Sequence, residues 1–181
     1  MSNPQRWLRN PQQFIFDNLT PGKWLYSAIA LKEAAPIIHW QDDLPVQGLG
    51  IVFVRRMLIG MSIENLLKGI LQAQGETVVV NGRLTRDFKT HSLYDLATHL
   101  KAVTVEVDEY HIMKDLTHYI RWSGRYPIPL RVDDVIPLCY SREVFEEEIN
   151  LFNKLRDRLI VIGWDRRYDD TRIPLIQLAR I

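Results

Sequence analysis

The stretch IGMSIENLLKGILQAQG, residues 59–75, decides the fold of this chain. Its bulky apolar residues recur at intervals of three and four, as side chains on one face of an α-helix do: Ile59, Ile63, Leu66 and Ile70. Gly75 follows where a glycine commonly ends a helix. Because the flanking positions are also mostly apolar, the pattern predicts a long helix from about Val46 to Gln74 at the centre of a bundle.

Four more helices are predicted around this central one. The first opens at Thr20-Pro21, a capping hydroxyl followed by proline, and reaches about Ala35. The third begins near Thr90 to Ser92, where Ser92 and Asp95 resemble a capping box. The fourth covers about Val107 to Trp122, and Ser141 caps the fifth. The segment Tyr126 to Leu138 carries three prolines and cannot be helical throughout.

A short change of period interrupts the helical pattern at TVVVNGRL, residues 77–84. β-Branched residues lead into Asn81-Gly82, a pair that strongly favours a tight β-hairpin turn. An isolated hairpin is marginally stable, so this insert of about residues 76–85 must pack on the bundle. Its surface chemistry fits either a dimer contact or a simple decoration.

Length and composition indicate one domain. The 181 residues have an ordinary apolar content of 46% and a formal net charge of +1. We therefore predict a single all-α domain over residues 1–181, an up-and-down bundle of about five helices with a small β-hairpin insertion. The bundle core spans about residues 20–160, and residues 163–181 form an irregular C-terminal arm. The charge balance provides no overall field for nucleic acid or a membrane.

Cysteine content and hydropathy favour a cytoplasmic protein. Cys139 is the only cysteine, which excludes an internal disulfide framework. Residues 1–10 lack the apolar segment of a signal peptide. The most apolar run, residues 49–71, is interrupted by four charged side chains and is not a membrane span: Arg55, Arg56, Glu64 and Lys68.

Three short motifs carry a resemblance to a known family. The central helix contains MSIENLLKG (61–69), the third helix opens with HSLYDL (91–96), and the fourth helix is followed by GRYP (124–127). In this order and on these helices, the motifs resemble those of HEPN proteins over roughly residues 20–160. The resemblance implies a small helical bundle, often a homodimer. It also implies a choice of functions: a metal-independent RNase in defence or toxin–antitoxin systems, or a non-catalytic module that partners a nucleotidyltransferase or binds a nucleotide.

The RNase members of that family carry an arginine, a polar residue and, a few positions later, a histidine. Here Arg86-Asp87 and His91 fit that pattern. The histidine would take the proton of a ribose 2′-hydroxyl, and the arginine would stabilise charge on the phosphorane. The pair stands before the third helix, whereas RNase members usually carry it later in the bundle. His91 also fits a helix-start histidine that forms a local hydrogen bond or binds a ligand.

Four further residues are candidates for ligand binding. Arg125 and Tyr126 offer a guanidinium for phosphate and a ring for base stacking, or they cap a helix end and pack beneath a loop. Glu64 and Lys68 stand four residues apart in the order that favours pairing, so they form a structural ion pair or polarise a central pocket.

The remaining polar clusters give no metal or cofactor prediction. His111 and His118 lie two helical turns apart with Asp115 between them, but no third ligand is spaced to complete a site. Arginines between residues 156 and 172 alternate with aspartates, which favours a solvated face over an RNA track.

Overall fold

The computed structural model of the chain describes residues 20–35, 49–100, 104–123 and 141–164. The described helices are α1 (Pro21–Ala34), α2 (Leu49–Ala73), α3 (Arg86–Lys89), α4 (Leu93–Thr98), α5 (Val107–His118) and α6 (Arg142–Trp164). A π-helical segment, Tyr119–Ser123, continues α5, and strands β1 (Val79–Val80) and β2 (Arg83–Leu84) form the hairpin. The predicted fold class, an all-α bundle with a small β-hairpin, is confirmed.

Helix α2 is the centre of the bundle, as its apolar pattern predicts. All four residues of the predicted stripe are fully buried, and α2 contacts α1, α4, α5 and α6. Two glycines let neighbouring elements approach its backbone closely. A Cβ added at Gly69 would lie 2.8 Å from Leu159 Cδ2, and one added at Gly60 would lie 2.9 Å from Ile120 Cγ1. Even one extra methyl group at either position would therefore strain the packing.

Helix α2 ends just before Gly75, as the sequence predicts. Gly75 adopts a φ of 93°, which is unfavourable for residues with a Cβ. The Gly75 amide donates to the Gln72 carbonyl at 3.0 Å, and the Glu76 amide donates to the Leu71 carbonyl at 3.0 Å. These two bonds form a Schellman motif, which satisfies carbonyls that the helix end would otherwise leave unpaired.

The hairpin also follows its turn sequence. Val79 pairs with Leu84 and Val80 with Arg83, and the connecting Asn81 and Gly82 both have positive φ, 50° and 70°. Positive φ at both central residues is the geometry of a type I′ turn. Val78, just before β1, is fully buried, so the hairpin is attached to the bundle at its base.

Helix α3 was not predicted, because the sequence pattern indicated a connection between the hairpin and the next helix. This single turn is attached to the bundle by Phe88, which is buried and whose ring centroid lies 6.4 Å from that of Trp24. A turn of four residues is too short to show helical periodicity, so one buried aromatic contact decides its structure.

Two helix ends differ from their predicted form. Tyr119 and Ile120 are adjacent in sequence and both buried, and the π-helical segment that begins at Tyr119 replaces the last turn of the predicted fourth helix. Helix α6 continues through Gly163 to Trp164, where we had expected the irregular arm to begin. The rest of that arm and the proline-containing segment lie outside the described residues.

A buried ionic cluster connects α2 with α6. Arg56 Nε donates to Glu148 Oε1 at 2.7 Å, and Arg56 Nη2 lies 2.6 Å from the same oxygen. The Arg56 guanidinium also lies 4.4 Å from the centroid of the Tyr119 ring, and the Arg55 guanidinium lies 3.5 Å from that of Phe145. Burial raises the pKa of Glu148 above its ordinary value of 4.5, and the opposing effect of Arg56 offsets this only in part.

None of the helices in the described part of the chain combines the length and apolar character that a membrane span requires.

The charge of Glu148 should make stability depend on pH. Because its pKa is raised in the folded chain, its contribution to the free energy of unfolding increases as the pH falls from the folded pKa towards 4.5. Glu148→Gln cannot take up a proton at this position, so its free energy of unfolding should rise less than that of the wild type between pH 7 and pH 5, as measured by urea unfolding.

The matched control is Glu147→Gln, an exposed carboxylate one residue earlier on the same helix. It should change the free energy of unfolding by no more than about 0.5 kcal/mol. A Glu148→Gln variant whose free energy of unfolding rises as much as that of the wild type over this pH range would contradict the assignment.

Candidate functional site

Three of the predicted site residues meet at one place on the bundle. Glu64 Oε1 lies 2.6 Å from Lys68 Nζ, and Glu64 Oε2 lies 2.9 Å from His91 Nδ1. Glu64 and Lys68 are both buried, whereas 45% of the His91 side chain is exposed. The structure therefore forms a chain of polar contacts from the interior, through a carboxylate, to an imidazole at the surface.

This arrangement orients the His91 ring. One oxygen of the Glu64 carboxylate accepts a hydrogen bond from the Lys68 ammonium. Its other oxygen accepts one from Nδ1–H of His91, because an ionised carboxylate has no hydrogen to donate. In the neutral imidazole, Nε2 then carries the free lone pair. A carboxylate that holds one ring nitrogen and leaves the other free to take a proton is the arrangement of a general base.

The backbone around His91 is held by its neighbours. The Ser92 amide donates to Thr90 Oγ1 at 3.0 Å, and the Leu93 amide donates to Thr117 Oγ1 of α5 at 3.1 Å. Ser92 is the N-cap of α4 and accepts the Asp95 amide at 3.3 Å, as its sequence predicts. These bonds fix residues on both sides of His91 and limit the conformations of its side chain.

Arg86 lies in a different environment from His91. It is the first residue of α3, is exposed, and lines a cavity of about 370 Å³ between the connection from α2 to β1, α3 and α4. Thr90 also lines this cavity, but its chain neighbour His91 does not. Between these two described residues, Arg86 and His91, there is no hydrogen bond or ion pair. The structure thus joins His91 to Glu64 and Lys68 rather than to its predicted partner.

The cavity is lined by both apolar and charged side chains. Three of the apolar ones are buried: Leu71, Phe88 and Leu96. Three carboxylates and one guanidinium line it: Glu76, Asp87, Asp95 and Arg86. Its volume lies within the range of roughly 300–1,000 Å³ that is usual for small-molecule sites. No local sequence pattern indicates this cavity, because α4 and the α2–β1 connection are brought together only by packing.

His99, unlike His91, lines the cavity. Its Nδ1 donates to the Asp95 carbonyl at 2.7 Å, so Nε2 of the neutral ring is an acceptor. No sequence pattern indicated this role, although a histidine just after a short helix often bonds the last carbonyls.

The other predicted sites have different outcomes. Arg125 and Tyr126 lie outside the described residues, so their proposed ligand-binding role stays a prediction. His111, Asp115 and His118 are described, and across the described ranges no three His, Cys, Asp or Glu side chains cluster as metal ligands.

No family model matches the sequence, and no match was found among curated proteins or among solved structures. The resemblance to HEPN proteins therefore rests on the three short motifs and their order.

The polar chain predicts that Lys68 is needed for stability. Lys68→Met keeps the aliphatic length but removes the ammonium that holds buried Glu64, so the free energy of unfolding should fall by about 3–5 kcal/mol. Urea unfolding at pH 7 measures this change. Lys114→Met, at an exposed position of α5, is the control and should have little effect. Equal stability of the two variants would show that Lys68 does not support Glu64.

Proposed function

We propose that this protein is a metal-independent endoribonuclease in which His91 is the general base and Arg86 stabilises the phosphate. The observation that carries the proposal is the Lys68–Glu64–His91 chain, because it orients an exposed imidazole with a free Nε2. The motif resemblance to HEPN proteins supports the same reaction and suggests a role in defence or in a toxin–antitoxin system.

The reaction follows from the properties of these groups. Nε2 of His91 takes the proton of a ribose 2′-hydroxyl, and the 2′-oxygen forms a bond to the adjacent phosphorus. The bond from phosphorus to the 5′-oxygen breaks, and that oxygen leaves with a proton from water. The products are a 2′,3′-cyclic phosphate and a 5′-hydroxyl. General base catalysis of this kind accelerates reactions by about 10²–10⁴-fold.

Arg86 would act through the substrate. It is exposed at the start of α3, close in sequence to His91 but not in contact with it, so a bound phosphate would lie between the two side chains. A guanidinium donates to two phosphate oxygens at once, which suits it to the developing charge of the phosphorane. A homodimer, as the resemblance implies, would bring a second such pair to the same substrate.

The test is cleavage of a mixed-sequence RNA by the purified protein in excess EDTA. His91→Ala should reduce the rate by about 10²–10⁴-fold, and Arg86→Ala by about 10²–10³-fold. A product with a 2′,3′-cyclic phosphate end should accumulate, as detected by its resistance to ligation and by mass spectrometry.

Matched controls separate the site from general effects of charge. His111→Ala on α5 and Arg83→Ala on β2 replace exposed residues of the same types away from His91, and both should keep the wild-type rate. Absence of cleavage by the wild type, or equal rates in all four variants, would exclude the RNase function. The non-catalytic alternative, a module that binds a nucleotide or a nucleotidyltransferase, would then be the function to test.

A further inference from the structure

We infer that the cavity between the α2–β1 connection, α3 and α4 is a nucleobase site that selects guanine, with Asp95 as the residue that reads the base. This inference rests on the proposed function, since it names the RNA base that would bind beside Arg86 and His91. It is supported by the position of the cavity, by the apolar side chains of its lining and by the hydrogen-bonding groups of the same lining.

The position of the cavity suits a base next to the reacting phosphate. Arg86 belongs to its wall, and so does Thr90, the residue that precedes His91 in the chain. A base in the cavity would therefore keep its own ribose and phosphate close to both proposed functional side chains. RNA-binding proteins commonly recognise unpaired bases that are turned out of a strand in this way.

The chemistry of the walls favours a ligand with hydrogen-bond donors. The carboxylates of Asp87 and Asp95 and Nε2 of neutral His99 are acceptors, whereas Arg86 is a donor. These acceptors outnumber the single guanidinium donor, so the lining matches a ligand that presents several hydrogen-bond donors and at least one acceptor. A flat base of this kind also suits the apolar side chains of the lining, Leu71, Phe88 and Leu96.

Guanine differs from the other bases in what it offers a carboxylate. Its N1–H and N2 amino group stand side by side, so both can donate to the two oxygens of one carboxylate. Adenine and cytosine have a ring nitrogen acceptor beside their amino group. This acceptor would face an acceptor oxygen of the carboxylate, and the two would repel each other. Uracil has one N–H between two carbonyl oxygens. A carboxylate that accepts from both of these donors therefore distinguishes guanine from the other three bases.

Asp95 is better placed for this role than the other acidic residues of the cavity. Its backbone is held at both ends, because the amide donates to Ser92 Oγ and the carbonyl accepts bonds from His99 Nδ1 and Thr98 Oγ1. Its carboxylate has no hydrogen bond or ion pair within the described residues. The backbone is therefore fixed and the carboxylate is available to a ligand.

The first experiment measures binding of GMP, AMP, CMP and UMP to the full chain by isothermal titration calorimetry. GMP should bind at least about tenfold more tightly than the other three. Asp95→Asn keeps the shape but replaces one acceptor oxygen with a donor amide, so this preference should disappear. Glu146→Gln, an exposed change on α6, is the matched control and should keep it. Equal binding of all four nucleotides, or a preference that survives in folded Asp95→Asn, would overturn the inference.

The second experiment separates this inference from the proposed function. His91→Ala should retain the preference for GMP while losing RNA cleavage, because His91 does not line the cavity. Selective GMP binding that depends on Asp95, without any cleavage by the wild type, would support the guanine site and exclude the RNase function. Cleavage that depends on His91 but is equally fast in RNA with and without guanine would leave the RNase function standing and exclude the guanine site.

Discussion

Helix α2 is buried along most of its length, and every charged side chain on it therefore needs a partner inside the bundle. Desolvation of an unpaired charge costs several kcal/mol, so this requirement constrains the elements that pack around the helix. Glu64 pairs with Lys68 one turn later on α2, while Arg56 pairs with Glu148 of α6. Arg55 instead lies over the ring of Phe145. The positions of α4, α6 and the π-helical segment all follow from covering this one helix.

The same requirement produces the candidate site. Glu64 has two oxygens, and Lys68 occupies one of them from within α2. The other oxygen accepts a bond from His91, which stands just before α4 and remains nearly half exposed. An arrangement that satisfies a buried carboxylate thus also orients a surface imidazole. Because the hydroxyls of Thr90, Ser92 and Thr117 also hold the neighbouring backbone, the fold itself restricts the position of the ring.

The separation of Arg86 from His91 has a physical reason. Arg86 begins a helical turn that Phe88 attaches to the bundle, whereas His91 follows that turn and faces α2. Two cations in direct contact would repel one another once the imidazole gains a proton. In the proposed reaction, a phosphate bound between the two side chains would offset that repulsion.

The sequence by itself determined the elements whose signals are local. The apolar stripe of α2, the Schellman motif at Gly75, the Asn81-Gly82 turn and the cap at Ser92 each depend on residues within a few positions of one another. The Glu64–Lys68 pair was predictable for the same reason, since i,i+4 spacing places both on one helix face. These features were all expected from the sequence, and the structure has each of them.

Tertiary structure alone decided what lies between elements that are distant in the chain. Glu64 and His91 are 27 residues apart, and Arg56 and Glu148 are 92 apart, so no local pattern indicates either contact. The turn at α3 is attached to the bundle by the buried ring of Phe88, and the cavity at Asp95 exists only where α4 packs beside α3 and the α2–β1 connection. Helical periodicity reports which face of an element is buried, but the partner that covers that face is selected by the packing of the whole bundle.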